Sequence, residues 1–213
     1  MQLNFITGAT GFIGKHLLRS GFACCGDSQQ QKIKILSRQP HPAYETVVCD
    51  LQSEMIPDGA LDGVNVVFHL AGFAHDLRKA SEFEHLYRAV NVDATVRLAE
   101  LAVASSVNRF VFVSSVKAGG NGVEDGAEGV YGHTKREAEL KILEIGLQSG
   151  MHVSIVRPSL VYGPGVKGNL ALMRRGIEQG WFPPLPETGN RRSMIHVDDL
   201  VQALLLVAED KRA

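Results

Sequence analysis

The 213-residue sequence predicts an α/β fold built on a doubly wound parallel sheet, and three observations predict it. Short strand-like runs alternate with helical segments over the first 158 residues. The runs at 64–70 and 109–114 are almost continuously apolar, as strands buried on both faces must be. Gly8, Gly11 and Gly14 follow the first strand-like run and open a helix, which gives a strand–turn–helix unit at the start of the chain.

In order, the first strand covers residues 3–7, and its helix runs through His16, Leu17 and Leu18 until Gly21 and Gly26 break it. Residues 27–31 are polar and repetitive, which predicts a surface loop. Strands follow at 32–37, 46–49 and 64–70. Leu86, Val90, Ala94, Leu98 and Leu101 keep helical spacing and predict one long helix over 83–105. A buried strand at 109–114 leads through a glycine-rich loop to a helix at 131–148, charged on its outer face. The strand at 152–157 stops at Pro158, where proline removes the next ladder donor. Beyond it, Gly163, Pro164, Gly165, Gly168, Pro183, Pro184 and Pro186 predict loops around a helix near 170–179, before a last helix at 198–209. The expected organisation is a dinucleotide-binding domain over 1–158. A small, incomplete C-terminal substrate lobe, with elements returning to that domain, fills 159–213.

Composition narrows the function classes. The hydrophobic share is 45% and the charged share 21%, ordinary for a globular enzyme. A net charge of -1 argues against a nucleic-acid or anionic-membrane partner. No apolar run reaches the roughly 20 residues a membrane span requires. The N-terminus runs straight into a strand, with no basic segment, apolar stretch and cleavage site ahead of it. Cys24 and Cys25 are adjacent, and with Cys49 they make an odd set, so reduced thiols in a cytoplasmic protein are expected.

The glycine loop suits a dinucleotide on a Rossmann fold. Gly8 makes the tight turn, Gly11 lets the backbone approach a pyrophosphate, and Gly14 lets the helix pack close to the sheet. The helix N-terminus then offers N–H groups and partial positive charge to the phosphates. Ser37-Arg38 stands after the second strand, where a carboxylate would select NAD. Arg38 can fork onto a 2′-phosphate and so favours NADP; the alternative is a solvated arginine. Asp50 can accept a bond from the adenine amino group, or it caps a turn.

Tyr131 and Lys135 lie four apart at the expected start of a helix and therefore on one face. A phenol with a pKa near 10 is a poor base. An ammonium about 4 Å away, at an effective dielectric of ~20, contributes on the order of 4 kcal/mol, or about 3 pKa units. That predicts a Tyr131 pKa near neutrality. Ser115 ends a buried strand, where its hydroxyl can hold a substrate oxygen beside the phenol.

These residues resemble the extended short-chain dehydrogenase/reductases, the sugar-nucleotide epimerase/dehydratase group. The run Thr7-Gly8-Ala9-Thr10-Gly11-Phe12-Ile13-Gly14 is similar to the family's cofactor motif, and Asp50-Leu51 to its adenine-binding acid after strand three. His69-Leu70-Ala71-Gly72 resembles its His-x-Ala-Ala element beside the cofactor, with Gly72 a departure. Asn91 matches a helix asparagine that supports the active site. Ser114-Ser115 and Tyr131-Gly132-His133-Thr134-Lys135 resemble the catalytic serine, tyrosine and lysine. The stretch from Arg157 and Pro158 to Gly165 resembles the segment passing the nicotinamide. Arg192 and the following His196-Val197-Asp198-Asp199 resemble the segment whose arginine meets the sugar nucleotide's diphosphate.

The resemblance implies catalysis by Ser115, Tyr131, Lys135 and Asn91, and substrate contacts from Lys117, Asn169 and Arg192. It implies hydride transfer between a nicotinamide and C4 of a nucleotide sugar. The runs 115–120 and 190–193 look most like enzymes of bacterial surface polysaccharides, which act on UDP-N-acetylhexosamines as 4-epimerases or 4-keto reductases. A homodimer through the two long helices is also implied. Two rival readings remain: a steroid- or flavonoid-type alcohol dehydrogenase, and a dinucleotide-sensing module without turnover. His69 and His75, with Asp76, have no ligand spacing and are read as loop histidines rather than a metal site. Trp181, ahead of Pro183, Pro184 and Pro186, is expected to be buried under a loop over the substrate.

Overall fold

In a computed structural model, residues 2–22, 31–74, 80–119, 127–183, 189 and 191–210 are described. The elements run β1 (Gln2–Thr7), α1 (Phe12–His16) with a π-helical continuation (Leu17–Gly21), β2 (Gln31–Ser37), β3 (Glu45–Val48) and β4 (Val66–His69). Then come α2 (Ala80–Arg88), a π-helical turn (Ala89–Asp93), α3 (Ala94–Ala104), β5 (Arg109–Val113), a 3-10 turn (Val116–Gly119) and α4 (Ala127–Ser149). The rest is β6 (His152–Val156), β7 (Leu160–Tyr162), α5 (Asn169–Glu178), β8 (Met194–His196) and α6 (Val197–Glu209).

Six strands form one parallel sheet in the order β3-β2-β1-β4-β5-β6. Side chains of successive residues face opposite sides, and both sides are apolar here. Phe5, Val67, Phe110 and Phe112 pack with Leu98, Ala138 and Ile142 of α3 and α4. Ile6, Phe68 and Val111 pack with Leu17 behind α1 and with Leu200, Val201 and Leu204 of α6. Helix α6 therefore returns to the main sheet, so the C-terminal segment closes one of its two faces. The chain winds outward from β1 through β2 to β3, then crosses back to β4 on β1's other side. This reversal opens a crevice at the carboxyl ends of β1 and β4, the position at which such sheets bind ligands.

Several expectations shift. Helix α4 begins at Ala127, so Tyr131 and Lys135 lie one turn inside it rather than at its start. The long helix is continuous from α2 into α3 but widens into the π-helical turn, which holds Asn91. The strand expected at 64–70 is shorter, because Asn65 Oδ1 accepts from the Leu3 amide and turns the chain into the sheet. β7 and β8 were unforeseen; they pair in parallel as a two-stranded sheet after Pro158. Trp181, expected to be buried, is 59% exposed; its ring edge rests against Gly176 and its Nε1 donates to Gln179 Oε1 at 3.0 Å. Residues 23–30, including Cys24 and Cys25, and His75 and Asp76 lie outside the described residues.

Candidate active site

The glycine loop joins the ends of β1 and β4. Gly8 has φ +69°, and a Cβ there would fall 2.7 Å from the Ala71 amide nitrogen. A Cβ on Gly14 would overlap the Gly8 carbonyl and lie 2.7 Å from Ala9 Cα. The Gly11 amide donates to the Gly8 carbonyl at 2.9 Å and closes the turn. Gly11 caps α1 without any side-chain bond, so the first-turn amides around Phe12 and Ile13 stay open to an acceptor. A cleft of about 210 Å³ opens here, lined by Thr10, Gly11 and Phe12 on one side and by Pro164 and Gly165 on the other. Lys15, Arg19 and Lys167 bring positive charge to the same cleft.

Behind the loop lies a buried polar chain. The Ala71 amide donates to Thr7 Oγ1 at 3.2 Å, and Thr7 Oγ1 lies 2.6 Å from His69 Nδ1. On its other side His69 Nε2 lies 2.8 Å from Thr95 Oγ1, which donates to the Asn91 carbonyl at 2.9 Å. Because Thr95 spends its proton on that carbonyl, Nε2–H of His69 must donate to Thr95, and Nδ1 must accept from Thr7. Every bond in the chain then points one way. His69, which the sequence places in the strand at 64–70 and sets aside as a metal ligand, ends β4 and is wholly buried. Burial holds its pKa down at about 3, with the Lys135 charge adding to the effect, so it stays neutral.

Asn91 is wholly buried and ties three segments together. Its Oδ1 accepts from the Phe73 amide at 2.8 Å, and its Nδ2 donates to the Phe73 carbonyl at 3.0 Å and to Thr134 Oγ1 at 3.2 Å. That last bond reaches α4, between Tyr131 and Lys135. Lys135 is 2% exposed; its Nζ donates to the Val113 carbonyl at 3.0 Å and sits 4.4 Å over the Phe112 ring. A Cβ on Gly72 would fall 3.1 Å from Lys135 Nζ and 3.3 Å from Asn91 Oδ1. The departure at Gly72 therefore lets Lys135 and Asn91 pack closely against the backbone there, where a side chain would crowd both.

Tyr131 packs edge-on to Tyr87 and faces Ser115. Its pKa is not near neutrality. Burial pushes the phenol up to about 12, and the Ser115 hydroxyl offsets only part of that. Burial likewise brings Lys135 down to about 7, against the opposing field of Glu139. The four-residue spacing alone leaves out desolvation, the largest influence on both groups here. Ser115 follows β5 and accepts from the Lys117 amide at 3.3 Å, which shapes the 3-10 turn. Gly132 lets α4 press on that turn, since a Cβ there would fall 2.7 Å from the Lys117 carbonyl. Lys135 and Asn91 thus meet beside Gly72, and Tyr131, one turn earlier on α4, faces Ser115.

The other candidates fall around this cluster. Leu70 and Ala71 are pinned to β1's end by the Leu70 amide donating to the Thr7 carbonyl at 3.2 Å. Pro158 accepts from the Val116 amide at 3.2 Å and so borders the serine loop. Arg38 is exposed just past β2. Asp50 caps a turn, Oδ1 accepting from the Gln52 amide at 3.0 Å, and Leu51 is buried in the core. Asn169 opens α5 and Arg192 precedes β8; both are exposed, and among the described residues neither makes a hydrogen bond or ion pair. Sequence reasoning missed Thr7, Thr95, Thr134 and Glu139, whose roles arise from contacts across the fold.

The chain is similar to known proteins in sequence and in fold. Residues 4–213 match the model of the NAD dependent epimerase/dehydratase family. The chain is 34% identical over 223 residues to a UDP-glucose 4-epimerase of Vibrio cholerae, covering 98% of this chain and 67% of that protein. It is 33% identical over 205 residues to a ceramide reductase of Caulobacter vibrioides, covering 94% of this chain and 59% of that protein. Among solved structures, MoeE5 in complex with UDP-glucose and NAD superposes with a TM-score of 0.78 at 29% identity, covering 100% of this chain and 73% of that one. The chain therefore spans about three fifths to two thirds of these curated relatives. By sequence and by fold, the chain belongs to the NAD dependent epimerase/dehydratase family.

Proposed function

We propose that this chain binds NAD(P) and carries hydride transfer at C4 of a nucleotide sugar, as a 4-epimerase or a 4-keto reductase. The single observation that carries the proposal is the packing of Lys135 and Asn91 against Gly72, with Tyr131 one turn before Lys135 on α4 and its phenol bonded to Ser115. The residues fit a nicotinamide dinucleotide: α1 starts without a side-chain cap, and Lys15, Arg19 and Lys167 line the cleft at that start. When bound, the dinucleotide supplies the hydride acceptor or donor. Arg38, exposed past β2, supports a preference for the 2′-phosphorylated form.

Tyr131 handles the proton. With its pKa at about 12 the phenol is protonated in the unliganded site and ready to donate to a carbonyl oxygen. In the reverse direction the same oxygen takes the proton of the C4 hydroxyl, which requires Lys135 as an ammonium. Ser115 faces the phenol and holds the substrate oxygen next to it. Exposed Arg191 and Arg192 on the C-terminal stretch suit a diphosphate, and a UDP-N-acetylhexosamine of surface-polysaccharide synthesis is the proposed substrate class. A homodimer through α4 is proposed on the exposed Leu140, Leu143 and Leu147 along that helix, and size-exclusion chromatography tests it.

The test is to incubate the protein with UDP-glucose, UDP-N-acetylglucosamine and their 4-keto derivatives, and to follow C4 configuration by proton NMR. Inversion without net cofactor change selects the epimerase; consumption of NADPH with a keto sugar selects the reductase. The reductase relative from Caulobacter supports the second reaction. Binding of dinucleotide with no turnover on any of these contradicts the enzyme reading.

A further inference from the structure

The mechanism above leaves one buried carboxylate without a task. Glu139 is fully buried on α4, one turn beyond Lys135 and on the same face. Arg157, immediately after β6, grips both its oxygens: Nε donates to Oε1 at 2.8 Å and Nη2 to Oε2 at 2.5 Å. Arg136 adds a looser contact at 3.4 Å. The Arg157 side chain is 37% exposed, so the pair sits at the rim of the core, where an ion pair adds little stability, and the placement of the buried carboxylate calls for another explanation.

The surroundings of Lys135 supply one. β5 offers only the Val113 carbonyl and the Phe112 ring, β4 offers His69, which is neutral, and the π-helical turn offers Asn91, which carries no charge. From α4 itself come Tyr131 and Glu139, and from the end of β6 comes Arg157. Among the described residues, Glu139 is the buried anion whose field acts on Lys135, opposing its desolvation. We propose that Glu139, clamped by Arg157, is a positioning residue that keeps Lys135 an ammonium where it packs against Gly72 and Asn91. The clamp fixes the carboxylate in place and keeps it ionised; burial alone would raise its pKa, but the Arg157 bonds hold it below the ordinary carboxylate range. The segment that passes Pro158 is thereby wired to the catalytic lysine. The assignment rests on the Tyr131–Lys135 reading of the site, yet its test needs no substrate.

The experiment labels lysine Cε with carbon-13 and titrates the protein by NMR, with the Lys135 signal identified by its loss in Lys135→Met. In Glu139→Gln the Lys135 midpoint falls by about one pH unit, the size expected for losing one partly screened charge nearby. Glu139→Asp, which keeps the charge, restores most of the shift. Should Glu139→Gln fail to fold, the double variant Glu139→Leu with Arg157→Met removes the pair together, and the midpoint falls there too, by less. An unchanged Lys135 midpoint in a folded Glu139→Gln or double variant overturns the proposal. Loss of turnover in the parent protein would contradict the proposed reaction while leaving this titration intact.

Discussion

Lys135 is bound to the Val113 carbonyl: its Nζ sits 3.0 Å from that oxygen, with the Phe112 ring 4.4 Å below and no carboxylate in direct contact among the described residues. A charge held this way is costly. In the unfolded chain Lys135 keeps its ordinary proton affinity, while in the fold its pKa is about 7. Between those values the unfolded chain binds more protons, so stability rises with pH, and below about 7 the burial cost is present in full. Lys135→Met is therefore expected to raise Tm by a few degrees at pH 6, with a gain that shrinks toward pH 10, while turnover is lost. Scanning calorimetry at both pH values checks this.

His69 gives the acid limb of stability. It titrates near its ordinary value when unfolded and at about 3 in the fold, where burial excludes the proton. As pH falls from 6.5 toward 3 the unfolded chain takes up a proton that the native chain does not, and stability falls at up to roughly 1.4 kcal/mol per pH unit. His69→Gln is expected to flatten that slope and to cost on the order of 2 kcal/mol at pH 7 by breaking the Thr7–Thr95 chain. Urea unfolding from pH 4 to pH 7 measures both effects.

Gly14→Ala tests the close approach of α1 to the loop. Its Cβ would overlap the Gly8 carbonyl, so backbone has to shift, at a cost of about 2 kcal/mol or more. Dinucleotide affinity is expected to fall by about tenfold or more, because the same shift displaces the amides at Phe12 and Ile13. Isothermal titration and thermal melts report the two losses separately.

Arg38 carries the cofactor preference. NADPH is expected to bind more tightly than NADH, and Arg38→Asp to reverse the order by replacing the guanidinium with an anion that repels the 2′-phosphate. Fluorescence titration with both cofactors measures it, and equal affinities in the parent protein would contradict it.

What the sequence made legible was local. Gly8 and Gly14 announce themselves because each is forced by its own backbone and nearest neighbours. Tyr131 and Lys135 are recognisable from a four-residue spacing, and Ser115 from its place after an apolar strand. What stayed hidden depends on burial or on distant pairing. The Tyr131 pKa went the wrong way because spacing gives the attraction to Lys135 but not the desolvation of either group. Glu139 and Arg157 are 18 residues apart, and only the packing of α4 on β6 brings them together. β7 and β8 are three residues each, too short for an alternating pattern to register. Trp181 was assigned to the interior by its chemistry, and the fold leaves it outside.

The central claim is that Tyr131 moves the proton of a hydride-transfer reaction at a dinucleotide held by the glycine loop. The direct measurement is kcat of Tyr131→Phe on whichever nucleotide sugar the parent turns over, with dinucleotide affinity and Tm recorded alongside. A loss of at least about 100-fold in kcat is expected, with affinity and Tm nearly unchanged, since only the proton-carrying oxygen is removed. Turnover by Tyr131→Phe at the parent rate would contradict it.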